Sequence, residues 1–286
     1  MTWRRRIVGI SLLVGVAAFP APSIAAHPGV DEQIGRMNDL IAASPEDATL
    51  YVRRGELHRI HRDWTSAETD LLTALALEPE LATAELCLAR VKSDAGKPTD
   101  AKPYLDRYLK RRPNDVEALA LRGRVLEAMG EHLKAAEDLT RCIENESRDP
   151  RPENYLDRAR ALQAAGPEHL ARAIEGLDEG RARLGDPVTL QLFAVDLEIE
   201  RRNYDGALRR IDELARGSVR QEPWLVRRGT ILEAAGRPTD ARAAYVRAIA
   251  AIETLPKARR DTKAVSVLES EARAALQRLD EQTPTQ

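Results

Sequence analysis

The chain has 286 residues, 44 of them Lys or Arg and 46 Asp or Glu, with only 4% aromatic side chains and two cysteines. A formal net charge of −2 excludes a strongly basic nucleic-acid or anionic-lipid surface. Abundant Ala, Leu, Arg and Glu with few rings is a composition suited to close helix packing.

The first 26 residues stand apart. Arg4, Arg5 and Arg6 precede an apolar run from Ile7 to Phe19, which Pro20 and Pro22 close before the small-residue end Ser23-Ile24-Ala25-Ala26. That is the layout of a cleaved secretory signal peptide, with the cut near Ala25/Ala26. The apolar run is too short for a comfortable span. The mature protein is therefore expected to be exported, periplasmic or secreted, with no membrane insertion. Losing the three Arg leaves 41 basic against 46 acidic residues.

Residues 27–44 follow, with Ile34, Met37, Leu40 and Ile41 on a helical stripe, the pattern of an N-terminal capping helix. From Ala48 the chain is periodic. Blocks begin at Ala48, Ala82, Val116, Pro152, Val188 and Glu222, covering 48–81, 82–115, 116–149, 152–187, 188–221 and 222–255. Numbered within a block, position 20 is always alanine: Ala67, Ala101, Ala135, Ala173, Ala207 and Ala241. Four blocks carry Gly at the turn, position 15: Gly96, Gly130, Gly166 and Gly236. Gly-Lys-Pro-Thr-Asp-Ala at 96–101 nearly recurs as Gly-Arg-Pro-Thr-Asp-Ala at 236–241. Each block divides at its turn into two helical runs, with small residues where they cross. One such pair cannot bury its apolar face, so stacking is what stabilises it.

The register is open where two residues follow Gly166 and where Ala194 or Val195 holds position 8. Two prolines in Arg148-Asp149-Pro150-Arg151-Pro152 make that stretch the expected bend. After Pro256, Val265, Leu268, Ala272, Leu276 and Leu279 give residues 263–280 the stripe of a C-terminal capping helix, with 281–286 as a disordered tail.

Over residues 48–255 this pattern resembles the tetratricopeptide repeat family. The resemblance implies an all-α fold: a right-handed superhelical array of antiparallel helix pairs, an α-solenoid with capping helices. It also implies an interaction groove lined by the first helix of each pair. Some members clamp a peptide's terminal carboxylate with Lys and Asn there. Here the inner positions offer Thr, Val, Glu, Leu and Arg, so that clamp is absent and chaperone-tail binding is not expected.

On the first helices, positions 2, 5, 9 and 12 share one side. Position 5 is apolar and supplies Val52, Leu86, Leu156 and Val226, while position 9 supplies Arg90, Arg124 and Arg160. These residues are the expected protein- or peptide-binding groove, a basic ladder over an apolar floor. Glu127, Glu153 and Asp157 are close enough in sequence to neutralise the ladder. His58, His61 and Asp63 lie near one another but lack further ligands at metal spacing. Cys87 and Cys142 fall at core positions and read as apolar filler rather than a disulfide. No phosphate loop, nucleophile elbow or zinc-hydrolase motif occurs. The expectation is a non-enzymatic scaffold without cofactor or metal whose partner is a protein or peptide, or else an assembly factor of an envelope complex.

Overall fold

A computed structural model describes residues 29–146 and 150–282. The expected signal peptide and its cleavage point lie outside them, as do Arg148 and Asp149 of the expected bend. Among the described residues the chain is all helix and turn, without strands. The described residues form two compact units, divided between Pro79 and Glu80.

The first unit holds α1 (Val30–Ala43), α2 (Ala48–Ile60) and α3 (Trp64–Leu77). The second holds five further pairs. They are α4 (Ala82–Asp94) with α5 (Pro98–Arg111), α6 (Val116–Ala128) with α7 (His132–Asn145), α8 (Pro152–Ala165) with α9 (Leu170–Leu184), α10 (Val188–Glu200) with α11 (Tyr204–Arg216), and α12 (Glu222–Ala234) with α13 (Pro238–Glu253). A short turn of helix, α14 (Lys257–Arg260), leads to α15 (Lys263–Gln282). Since α15 runs to Gln282, Glu281 and Gln282 are helical rather than tail; 283–286 lie outside the described residues.

Local chemistry sets the helix starts. Asp47, Asp63 and Asp115 are N-caps whose carboxylates accept from the amides of Thr49, Ser66 and Ala118, and Asn203 accepts from Gly206 in the same way. Prolines stand in the first turn of α5, α8 and α13, where no amide partner is lost. The turn between the helices of a pair needs a left-handed residue. Gly96, Gly130 and Gly236 supply it at φ 70°, 78° and 69°. In the two blocks without glycine, Arg62 and Arg202 are forced to φ 61° and 60°. The fourth block departs from this: after Gly166 (φ 136°) its two extra residues are taken up in a three-residue 3-10 turn, Pro167–His169.

Packing follows the small positions. All six alanines at position 20 are at most 1% exposed. Three blocks have glycine at position 8 (Gly55, Gly123 and Gly229), packed against the position-24 side chain. A methyl added to Gly123 would sit 2.7 Å from Leu139 Cγ, and one on Gly229 only 2.5 Å from the Tyr245 ring. The helices of these pairs therefore touch at van der Waals distance, and the bulky residue at position 24 fills the remaining space beside each contact. At the uncertain register point both residues are buried, but Ala194 joins the core of α8 and α9 while Val195 joins that of α11 to α13.

Candidate functional site

The first helices of the second unit lie against their neighbours, and their outward side chains form a series of rungs. Arg90 on α4 donates to Glu117 on α6 at 2.6 Å. Arg124 on α6 is 3.9 Å from Asp157 on α8, and Arg160 on α8 donates to the same Asp157 at 3.0 Å. From α8 to α10 the rung changes chemistry: the Arg160 guanidinium lies 5.8 Å from the centroid of the Phe193 ring. From α10 to α12 the polarity is reversed, with Arg227 donating to Asp196. Gln163 on α8 also donates to Glu200 on α10.

The expected basic ladder thus exists as residues but not as a bare positive strip. Each of its three arginines faces a carboxylate, and Arg124 and Arg160 are brought together by sharing one. The expected apolar floor is mostly closed. Leu86 and Val226 are 7% and 5% exposed and belong to cores, because position 5 turns toward the neighbouring helix. Leu156 is half-buried and borders the α8–α9 core. Val52 is half-buried in the first unit.

A second set of residues escaped the sequence reading. Position 7 is Arg54, Arg122, Arg158 and Arg228 in four of the blocks. Arg122 makes a bidentate bond to Asp138 of its own second helix (2.6 and 2.8 Å) and a third bond to Asp106 of the preceding second helix (2.9 Å). Arg54 repeats this with Asp70 (2.8 and 2.6 Å) and Asn38 (2.7 Å), and Arg228 reaches Asp212. Where α9 has Gly176 in place of the aspartate, Arg158 takes that residue's carbonyl (3.0 Å) and Glu179 (2.7 Å). In the fifth block position 7 is Ala194, and the cation comes from the other helix: Arg210 on α11 grips Asp178 on α9 with two bonds of 2.7 Å. These bonds hold the Arg54, Arg122 and Arg210 guanidiniums even further above neutrality than usual. Burial works against Asp106 ionising, but bonds from Lys102 and Arg122 hold it below the usual carboxylate range. The recurring Arg–Asp spacing of 16 residues was the available sequence signal.

The histidines do not converge on a metal. His58 is 3.8 Å from both Asp63 and Asp70, whereas His61 turns to Asp31 at 3.6 Å. Among the described residues no group of three or more potential ligands is arranged for a metal ion. Cys87 and Cys142 are both buried, and burial followed by the nearby Glu146 carboxylate pushes the Cys142 thiol up to about 11. Among the described residues no helix is long and apolar enough to cross a membrane.

The tetratricopeptide repeat family model matches residues 87–150 and 194–257. These two segments carry tetratricopeptide repeats. No curated protein matches it at a significant level. Solved structures resemble it in fold. A tetratricopeptide repeat protein from Parabacteroides merdae is 15% identical, with 85% of this chain and 92% of that one covered and a TM-score of 0.53. YrrB, described as a TPR protein with an unusual peptide-binding site, is 20% identical over 63% of this chain and 90% of its own, with a TM-score of 0.54. PilF of Pseudomonas aeruginosa is 16% identical over 85% and 99%, with a TM-score of 0.50. Tetratricopeptide repeat proteins are generally non-catalytic scaffolds for protein interaction, and this repeat protein shares their fold.

Proposed function

We propose that the chain is an exported, non-enzymatic interaction scaffold that holds a protein or extended peptide against the first-helix face of residues 80–282. The open first-helix face is the observation that carries this reading. Arg124 and Arg160 keep 48% and 53% of their side-chain surface exposed although both are ion-paired, and Phe193 and Leu156 lie half-buried beside them. Alternating guanidinium, carboxylate and ring suits a segment that offers its own mixed side chains, with charges setting orientation more than affinity. Export rests on the N-terminal Arg cluster, the short apolar run and Ser23 to Ala26. That YrrB carries a peptide-binding site is a precedent on the same fold, and peptide binding here rests on this chain's own residues.

Affinity recovery from the native cell envelope tests the proposal, comparing the wild type with Arg124→Glu and Leu156→Asp. Both variants should keep wild-type helical content, and at least one should lose its partner. A desolvated charge contact at Arg124 would cost about 2–5 kcal/mol of binding and one at a wet rim far less. If both variants hold the partner as the wild type does, the first-helix face is not the site. One stable complex would favour the second reading, an assembly or maturation factor of an envelope complex; several exchanging partners favour a general scaffold. Intact mass of the exported protein decides the cleavage point near Ala25/Ala26.

A further inference from the structure

The first-helix face ends in a pocket of about 330 Å³ between α12 and α15, beyond the last rung. Six polar side chains line it: Thr230 and Glu233 from α12, Tyr245 from α13, and Ser270, Glu271 and Arg278 from α15. Helix α15 lies outside the segments matched by the repeat model, so the pocket is particular to how this chain closes its array.

Two of its hydroxyls have committed their hydrogens. Tyr245 is 2% exposed and donates its hydroxyl to Glu233 Oε2 at 2.5 Å. Thr230 gives its hydroxyl to the Val226 carbonyl within α12 at 3.2 Å. The two oxygens also lie 3.4 Å apart, so the hydroxyls offer the pocket only their remaining lone pairs. Two carboxylates, Glu233 and Glu271, stand against one guanidinium, and Arg278 reaches Glu233 only at 3.5 Å. The pocket has more acceptors than donors and one net negative charge, in an open recess rimmed by exposed Ser270, Glu271 and Arg278.

We propose that this pocket receives the cationic side chain of a lysine or arginine from the segment bound on the first-helix face. The source of that side chain rests on the interaction reading above, while the acceptor chemistry of the pocket does not. Charge-assisted bonds from an ammonium or guanidinium to Glu233 and Glu271 would satisfy acceptors that the chain leaves open to water.

Amide chemical shifts of the isotope-labelled mature chain are followed while N-acetyl-arginine amide, N-acetyl-lysine amide and N-acetyl-glutamate amide are added in turn. The two cationic compounds should shift Thr230, Ser270 and Ala274 saturably, and the glutamate compound should not. Glu271→Gln should weaken the cationic compounds about fivefold, equivalent to about 1 kcal/mol. Glu233→Gln should do at least as much, and if it loosens Tyr245 and melts early, Glu271→Gln still decides. Saturable shifts from the glutamate compound alone would give the pocket to Arg278 and an anion, overturning the proposal; so would no saturable shift from any of the three. If the cationic compounds bind but partner recovery is unaffected by Arg124→Glu and Leu156→Asp, the pocket chemistry stands and the first-helix reading fails.

Discussion

Replacing Arg122 with Met removes one guanidinium and nearly preserves side-chain length. The structure says what is left behind. Asp138, 6% exposed at its side chain, loses both bonds of its bidentate pair; Asp106, 42% exposed, loses one but keeps Lys102 at 2.7 Å. Breaking one side of a buried pair costs about 3–5 kcal/mol, chiefly because the other charge stays buried without compensation. Arg141 remains 3.8 Å from Asp138 and is itself 42% exposed, so the loss should fall near the lower figure, about 3 kcal/mol. Arg122→Met with Asp138→Leu removes the stranded charge and should recover most of that loss. Urea unfolding of the two variants and the wild type, followed by far-ultraviolet circular dichroism and compared at equal slope, measures both steps. A single variant within about 0.5 kcal/mol of wild type would place the clamp among surface ion pairs of little consequence. A double variant no more stable than the single would mean that Arg122 acts through packing rather than by compensating charge.

Arg62→Gly and Arg202→Gly should each raise stability by about 1 kcal/mol, because the present side chains hold a left-handed backbone that glycine adopts freely; a melting temperature unchanged in both would contradict the turn geometry. Ala135→Leu and Ala241→Leu put three more heavy atoms where nothing is exposed and should cost about 1–3 kcal/mol each in thermal or urea melts. Burial, and after it the bond to Glu233, pushes the Tyr245 hydroxyl up to about 12 from an ordinary 10.0. The folded state thus holds that proton more tightly than the unfolded chain. Its contribution is whole below about pH 10 and is lost as pH rises towards 12. Absorbance at 295 nm should show a late-ionising component that Tyr245→Phe removes.

Much of the architecture is legible in six alanines and four turn glycines, because these positions answer to geometry alone. No side chain larger than a methyl fits at position 20, and a left-handed turn favours glycine whatever the neighbours are. The candidate site is less legible, for a reason visible at Arg90, Arg124 and Arg160. Helical spacing puts them on one side and sets Asp157 three residues from Arg160 within α8, but the partners of Arg90 and Arg124, Glu117 and Asp157, come from the first helix of the next pair, and nothing within a single helix announces those two pairings. Leu86 and Val226 show the same limit: apolar identity at position 5 does not distinguish a groove floor from a core. The Arg122 clamp was hidden because guanidiniums in amphipathic helices ordinarily belong to solvent. Only the spacing to Asp106 and Asp138, equal on either side, marks it as paired.

The clamp also acts as a splicing rule among the repeats. Arg228 stands 16 residues after Asp212, and excising residues 188–221 would bring it to the same distance from Asp178, a carboxylate already placed to be gripped from the neighbouring pair. The shortened chain would close around an equivalent bond. Excising residues 152–187 instead removes Asp178, sets Thr140 opposite Ala194, and leaves Arg210 with only Glu198 at 3.6 Å. Repeats of nearly equal length are thus not interchangeable parts. Because the fifth carries its cation on the opposite helix, it can be cut out cleanly, yet it cannot follow any neighbour that lacks an aspartate at that place.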